Sequence, residues 1–592
     1  MNYPLWRLDA PGLLIAVVGV VHVFVSHFAV GGGLLLVLAE RKARAAGDAA
    51  LLGFVRALSR GFVLLTLVLG ALTGVGIWFT IGLVQPQATS ALVQTFLWAW
   101  AIEWTFFAVE IAAALVYYHG WDRLDARTHL RVGWVYGVAS WLSLVAISGI
   151  LSFMLTSGAW PETRRFADGF FNPTFLPTVA LRTAVALGLA GLYTLCAASL
   201  VADRELKARL ARWSATRWIA PAALAVPLLL VWFLSAAGAA RVDVAETLGA
   251  RSAAPLVLLQ AVFAAGASGQ PVVRGAARVA LLGSLLLVLA SLALVGLRAR
   301  RFGRLEAALL LGLGLVSMGA GEWVREGLRK PWLIDRYLFA NGGRVTPSPA
   351  SGLPSDDPFS IEALGRRGVL ATAPWALTPA GFRPGDPAFE RRPASERAAL
   401  EAQAGRAVFD LQCSACHTES GHLAIRPLVA GRSVAAILAV LDASARPIGS
   451  DGRPTSWTDR QARIVTWRGR RMPPGLGTPA EKRALAIHLA RLGGDASAGL
   501  EPEAPPQGGA AVFERYCAAC HGPEAEWPIA ERLRRRSADE LYEVIGRLPQ
   551  LREEMAPFSG SEAERRALAA YLGDLSAVGP AGPWIPPAEV AR

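Results

Sequence analysis

Cysteine and methionine are scarce in this chain of 592 residues, with five of each. Four cysteines belong to two Cys-x-x-Cys-His units and the fifth, Cys196, lies inside an apolar block, so no pair is left for a structural disulfide. The start, MNYPLWRLDAPG, lacks the basic n-region and short apolar core of a cleavable signal peptide, so the first helix is expected to direct its own insertion. Long hydrophobic runs are missing beyond about residue 328, where Pro, Gly, Arg and Glu take over. The formal charge of +13 comes without any nucleic-acid recognition motif, and many basic residues sit in short loops between apolar blocks. Topology accounts for that charge, and a nucleic-acid partner is not expected.

The first half of the chain is a series of apolar blocks. A span needs roughly 20 mostly apolar residues. Eight segments qualify, at about 12–38, 58–84, 93–118, 132–156, 176–201, 217–240, 276–297 and 304–327. The apolar stretch 253–268 is too short and reads as an interfacial or buried loop helix. Lys and Arg concentrate in alternate connections: Arg41, Lys42, Arg44 and Arg56, then Arg123, Arg127 and Arg131. Arg204, Lys207, Arg209, Arg212 and Arg217 follow, and then Arg298, Arg300, Arg301 and Arg304. By the positive-inside rule these loops face the cytoplasm, and both termini lie outside. The expected fold is therefore all-α: a polytopic membrane bundle over 1–330, a Pro/Gly/Ser-rich linker over 331–399, two small soluble domains at 400–494 and 505–577, and a tail over 578–592.

The strongest local signals are Cys413-Ser-Ala-Cys416-His417 and Cys517-Ala-Ala-Cys520-His521. Two thiols at this spacing form thioethers to a haem, and the adjacent His sits beneath the iron. A zinc reading fails because His follows Cys directly and no further cysteines complete a site. The motifs lie inside a longer repeat: Gly405 and Phe409, like Gly509 and Phe513, precede each motif, Met472 and Met555 follow in Pro-flanked turns, and an amphipathic helix closes each unit. This pattern resembles class I cytochrome c, which implies two covalently bound haem c groups with Met472 and Met555 as the sixth ligands. It also makes the outer face of a bacterial cytoplasmic membrane the expected location, in agreement with the charge argument. His488 stands where that family often has Tyr and reads as packing; His422 is left open as a ligand.

Ionisable side chains inside spans are functional candidates. His22 and His27 share the first span, five residues apart, so they point about 140° from each other. Glu103 and Glu110 share one face of the third, and Glu322 and Glu326 one face of the eighth, with Arg325 and Arg329 close behind. The stretch HVFVSHFAVG from His22 to Gly31, with Glu40 closing the helix, resembles the first helix of cytochrome bd quinol oxidase subunit I. So does Glu103 through Glu110 to Gly120-Trp121-Asp122-Arg123-Leu124, and Glu326-Gly-Leu-Arg329-Lys-Pro331-Trp332 is similar to that family's Glu-x-Gly-Arg-Gln-Pro-Trp signature.

Over roughly 1–335 the resemblance implies two non-covalent membrane haems, b and/or d, with His22 ligating one and Glu326 the other. It places Glu103, offset by one residue from the family spacing, at the haem site, and Glu110 on the proton route; Arg329 joins them as a catalytic candidate. Arg182 stands where the family has the His of its low-spin b haem, and 276–297 holds no Met to pair with it. The quinol loop is cut short and a ninth span is absent, so quinol oxidation is not expected. These departures resemble the cytochrome c-fused branch of the bd superfamily. The function implied is a terminal reductase taking electrons from a periplasmic donor, such as a soluble cytochrome c, to dioxygen. Nitric oxide reduction at the same haem pair, or a non-catalytic electron conduit between a quinone or partner complex and soluble cytochromes, are the alternatives. A homologous second subunit or a homodimer is the expected assembly in the lipid bilayer.

Overall fold

The computed structural model describes residues 11–265, 269–345, 357–373, 376, 383–421, 423–443, 447–448, 463–464, 472–499, 508–521, 529, 533, 536–551, 558 and 560–578. The chain divides into two compact units, one spanning Leu13–Arg336 and the other holding Tyr337 onward.

The first unit contains eight helices long and apolar enough to cross a membrane, as the sequence predicts. Spans 1 to 4 are Pro11–Ala45, Ala49–Val84, Leu97–His119 and Ala126–Phe153; spans 5 to 8 are Phe175–Ser199, Arg204–Ala240, Pro271–Arg298 and Arg304–Arg329. Polar residues start several of them. The Asp125 carboxylate caps span 4 by accepting from the amides of Arg127 and Thr128 at 3.0 and 3.1 Å. Asp203 does the same for span 6 through Glu205 and Leu206. Such caps satisfy amides that a helix start leaves open. Span 2 contains a π-helical turn at Leu65–Gly70, just before Thr73. Its Leu64, Leu72, Val75 and Phe79 are exposed, which suits a face turned to lipid. The short stretch after span 6 forms the helix Pro255–Phe263, too short to cross.

A buried ionic clamp holds the end of span 8. Asp335 accepts from the amide and hydroxyl of Ser157 at 3.0 and 2.9 Å and lies 3.5 Å from Arg241. Arg241 grips Asp243 through two nitrogens and donates to the Leu155 carbonyl at 3.1 Å. The loop after span 4, the end of span 6 and the segment after span 8 are thereby tied together.

In the second unit the first soluble core is built from Ala394–Gln412, Val434–Ala443 and Pro479–Leu492. Part of the stretch expected as linker belongs to it: Leu370, Ala373 and Ala376 are buried in this core. The cause is Glu481, 2 % exposed. It closes a capping box with Thr478 and also accepts from the amides of Val369 and Leu370 at 2.8 and 3.0 Å. One buried carboxylate thus caps a helix and stitches the preceding strand of chain onto it. The second core uses Gly509–Tyr516, Ala538–Gly546 and Glu562–Val578.

Both cores share one crossing. A Cβ on Gly405 would collide with the Ala484 carbonyl, and one on Gly509 with the Ala567 carbonyl, so only glycine lets each helix pair approach this closely. Next to it, Phe409 packs on His488 and Phe513 on Tyr571, both with ring centroids 5.7 Å apart. His488 therefore occupies the place of Tyr571, as expected of a packing residue. Its Nε2 is buried without a hydrogen bond among the described residues, and burial, aided by Arg406, pushes its pKa down to about 4. An unfolded His binds its proton near 6.5, so the unfolded state holds more protons between those values. The stability of this domain is expected to fall as pH drops from about 6.5 towards 4. His488→Tyr should flatten that dependence, which denaturant midpoints of the first domain across this pH range would measure.

Candidate functional site

Each haem-c motif closes a short turn at the end of a helix. The Cys413 amide donates to Phe409 at 2.8 Å, and the His417 amide to Cys413 at 2.8 Å. The second motif repeats this, with Cys517 to Phe513 at 2.8 Å and His521 to Cys517 at 2.9 Å. The His417 Nδ1 lies 2.9 Å from the Leu423 carbonyl. A carbonyl only accepts, so Nδ1 carries the proton. Met472 is half-buried. Met555, His422 and the side chain of Cys520 lie outside the described residues.

Within the membrane unit the two histidines of span 1 face different neighbours. His22 Nδ1 lies 3.0 Å from the Thr73 hydroxyl on span 2. That hydroxyl already donates to the Leu69 carbonyl at 2.6 Å, so the His22 Nδ1 is the N–H donor. His27 is buried, and its Nδ1 donates to the Val23 carbonyl at 2.8 Å. Both imidazoles therefore carry a proton on Nδ1, which makes Nε2 the nitrogen that can meet a metal. His27 lines a cavity enclosed by spans 1, 5, 6, 7 and 8, and Arg182, Glu322 and Arg325 line it too.

Span 8 carries two ion-paired carboxylates. Glu322 accepts from Arg325 at 2.9 Å and lies 3.7 Å from Arg182. Glu326 accepts from Arg329 Nε at 3.1 Å and from Arg329 Nη2 at 2.7 and 2.6 Å, and the Lys330 ammonium is 3.2 Å away. One guanidinium and one ammonium thus hold the Glu326 carboxylate, whose side chain is 36 % exposed. Between spans 3 and 4, Ser143 donates to Glu103 and Ser140 to Glu110, each at 2.9 Å.

Residues 13–255 match the family described as cytochrome bd terminal oxidase subunit I. The N-terminal part of the membrane unit thus carries a cytochrome bd oxidase subunit I domain over 13–255. Residues 504–572 match cytochrome C oxidase, cbb3-type, subunit III, which makes the C-terminal end a cbb3-type cytochrome c domain. A comparison with curated proteins returned no match. The bd oxidase structure from Geobacillus thermodenitrificans is similar over 56 % of this chain and 89 % of its own, at 16 % identity and a TM-score of 0.46. The two domain types make this multi-pass membrane protein a haem-dependent electron-transfer oxidoreductase.

The bd domain brings together some of the expected residues and leaves others apart. Glu103 and Glu110 share one helix interface, whereas His22 is held against span 2 and Glu326 is held by Arg329 and Lys330. The donor sets fit iron porphyrins: the thiols and His of each motif for haem c, and imidazoles with open Nε2 atoms in the spans. Sequence reasoning missed one network. Glu40, fully buried, lies 2.8 Å from His129 Nδ1 and accepts from Arg44 at 2.6 Å and from Tyr117 at 2.8 Å. The second His129 nitrogen faces the Tyr117 carbonyl at 2.9 Å. Both ring nitrogens of His129 thus face oxygen atoms, of Glu40 and of the Tyr117 backbone. A Glu four residues before Arg44 and a lone His within span 4 were its sequence signals, but nothing in the sequence joins them.

His129→Leu removes one of the hydrogen-bond partners of the buried Glu40 and is expected to cost about 1–3 kcal/mol. Replacing Glu40 and His129 together by Leu should recover a large part of that loss. Unfolding midpoints in mixed detergent would compare the two.

Proposed function

We propose that this protein is a terminal reductase that takes electrons from a donor on the outer face, through its two haem-c domains, to dioxygen within the bd domain. The observation that carries this reading is the union, in one chain, of a bd subunit I domain with a cytochrome c domain. The absence of the quinol-side ligands, with Arg182 in the family's His position, supports electron delivery from the fused domains instead. The basic loops support an outer location for the haem-c domains on the cytoplasmic membrane of a bacterium.

Haem iron, when bound, supplies the redox chemistry and the oxidant-binding centre. Cys413, Cys416, His417 and Met472 would hold one c haem. Cys517, Cys520, His521 and Met555 would do so for the other. In the spans, His22 and Glu326 are the ligands that the resemblance implies, with Arg329 fixing the Glu326 carboxylate. Glu110 and Glu103 carry protons. The Ser140 and Ser143 hydroxyls orient these carboxyls, and each hydroxyl can turn to pass a proton on. A soluble cytochrome c suits the donor role, and a homologous subunit or a second copy would complete the assembly.

The hold of Arg329 and Lys330 on Glu326 favours one second reading: an electron conduit with no iron open to small molecules. Haem extraction with reduced-minus-oxidised and CO-difference spectra separates the two. A CO-reactive, extractable haem and dioxygen consumption are expected; nitric oxide consumption without dioxygen consumption would change the acceptor, and absence of CO binding would sink the reductase. Glu110→Gln is expected to slow dioxygen consumption about a hundredfold while leaving the haem content unchanged.

A further inference from the structure

The cavity within spans 5 to 8 has features that the reductase reading leaves unused. Its wall is mostly aliphatic, with about 910 Å³ of unfilled space, part of it open to its surroundings. Two polar groups aimed into it are almost completely buried. His27 is 3 % exposed, and its open Nε2 makes no hydrogen bond among the described residues. Arg182 is 8 % exposed and makes no hydrogen bond there either; its nearest carboxylate oxygen is that of Glu322, at 3.7 Å. Glu322 is bound more closely by Arg325 at 2.9 Å. Two guanidiniums thus share one carboxylate inside an apolar bundle.

Each feature selects an occupant. A buried guanidinium whose N–H groups find no acceptor is costly, and an anion that reaches it removes the cost. An imidazole whose tautomer is fixed with Nε2 open suits a metal. The aliphatic wall suits a flat apolar body. A lipid phosphate would satisfy Arg182 but not His27, and a simple metal ion would satisfy His27 but neither the arginines nor the wall. An iron porphyrin, with its two carboxylate arms, satisfies all three.

We propose that His27 is an axial ligand of a haem in this cavity, with Arg182 and Arg325 receiving its carboxylates. This gives that haem an imidazole ligand from span 1, distinct from Glu326. His22, turned to Thr73 on span 2, serves a different iron. The proposal rests on the reading that the spans hold haem, but is independent of the oxidant.

The test uses the full chain purified in detergent. Haem removed by acid acetone is counted against the covalent haem c that stays behind, in the wild type and in His27→Ala, Arg182→Leu and Glu326→Gln. His27→Ala is expected to lose one extractable haem per chain, to regain its absorption when imidazole is added, and to keep both covalent haems. Arg182→Leu should lower occupancy of the same haem, whereas Glu326→Gln should leave it in place. Unchanged extractable haem in His27→Ala, or its loss in Glu326→Gln alone, overturns the proposal. A wild type with no extractable haem overturns the membrane-haem reading itself. If His27→Ala fails to fold, His27→Met offers a thioether of similar bulk: a shifted spectrum of the extractable haem is expected, and an unshifted one overturns the assignment. Phosphorus analysis of the purified chain covers the remaining occupant, since lipid phosphate that disappears with Arg182→Leu while the haem stays would also overturn it.

Discussion

A polar group in the hydrocarbon must find its partner within the protein, because no water is there to replace it. In the bd domain this constraint arranges the helices. Ser143 with Glu103 and Ser140 with Glu110 hold span 4 to span 3. His22 with Thr73 holds span 1 to span 2. Glu40, Tyr117 and His129 join spans 1, 3 and 4 in one network. The groups available for chemistry are the same groups that set which helices touch. Function and architecture rest on one set of contacts.

That coupling decides what the sequence reveals. The eight spans were legible because a bilayer imposes a length and a composition that no tertiary contact overrides. The haem-c motifs were legible because thioether attachment fixes a spacing along the chain. Within span 8, Glu322 stands three residues before Arg325 and Glu326 three before Arg329, but that spacing alone does not choose between ion pairing and iron ligation. Partnerships between helices were not legible. Nothing around Glu40 announces His129, which lies 89 residues away, and periodicity alone could not say which span-1 histidine faces the cavity. The two histidines point apart on any helix, but only packing shows that His22 meets span 2 and His27 meets spans 5 to 8.

The soluble unit shows the same division between local and distant information. Its glycine-and-aromatic crossings could be read from the repeat, and His488 takes the place of Tyr571 as its position in the closing helix suggests. The part played by residues near 370 could not be read, because their composition is that of a connecting segment. They join the first core because Glu481 offers a buried carboxylate to two amides that lie more than 100 residues earlier in the chain. A segment with little helical period becomes structural when a distant side chain supplies its hydrogen bonds.

The two span-1 imidazoles also differ in where their orientation is encoded. His27 is set by the Val23 carbonyl of its own helix, so its ring is aimed as soon as that helix forms. His22 depends on Thr73, and its ring is not fixed until the following span has docked. Biogenesis therefore has a built-in sequence of events, in which one nitrogen is ready on the isolated first helix and the other only after a hairpin has assembled in the bilayer.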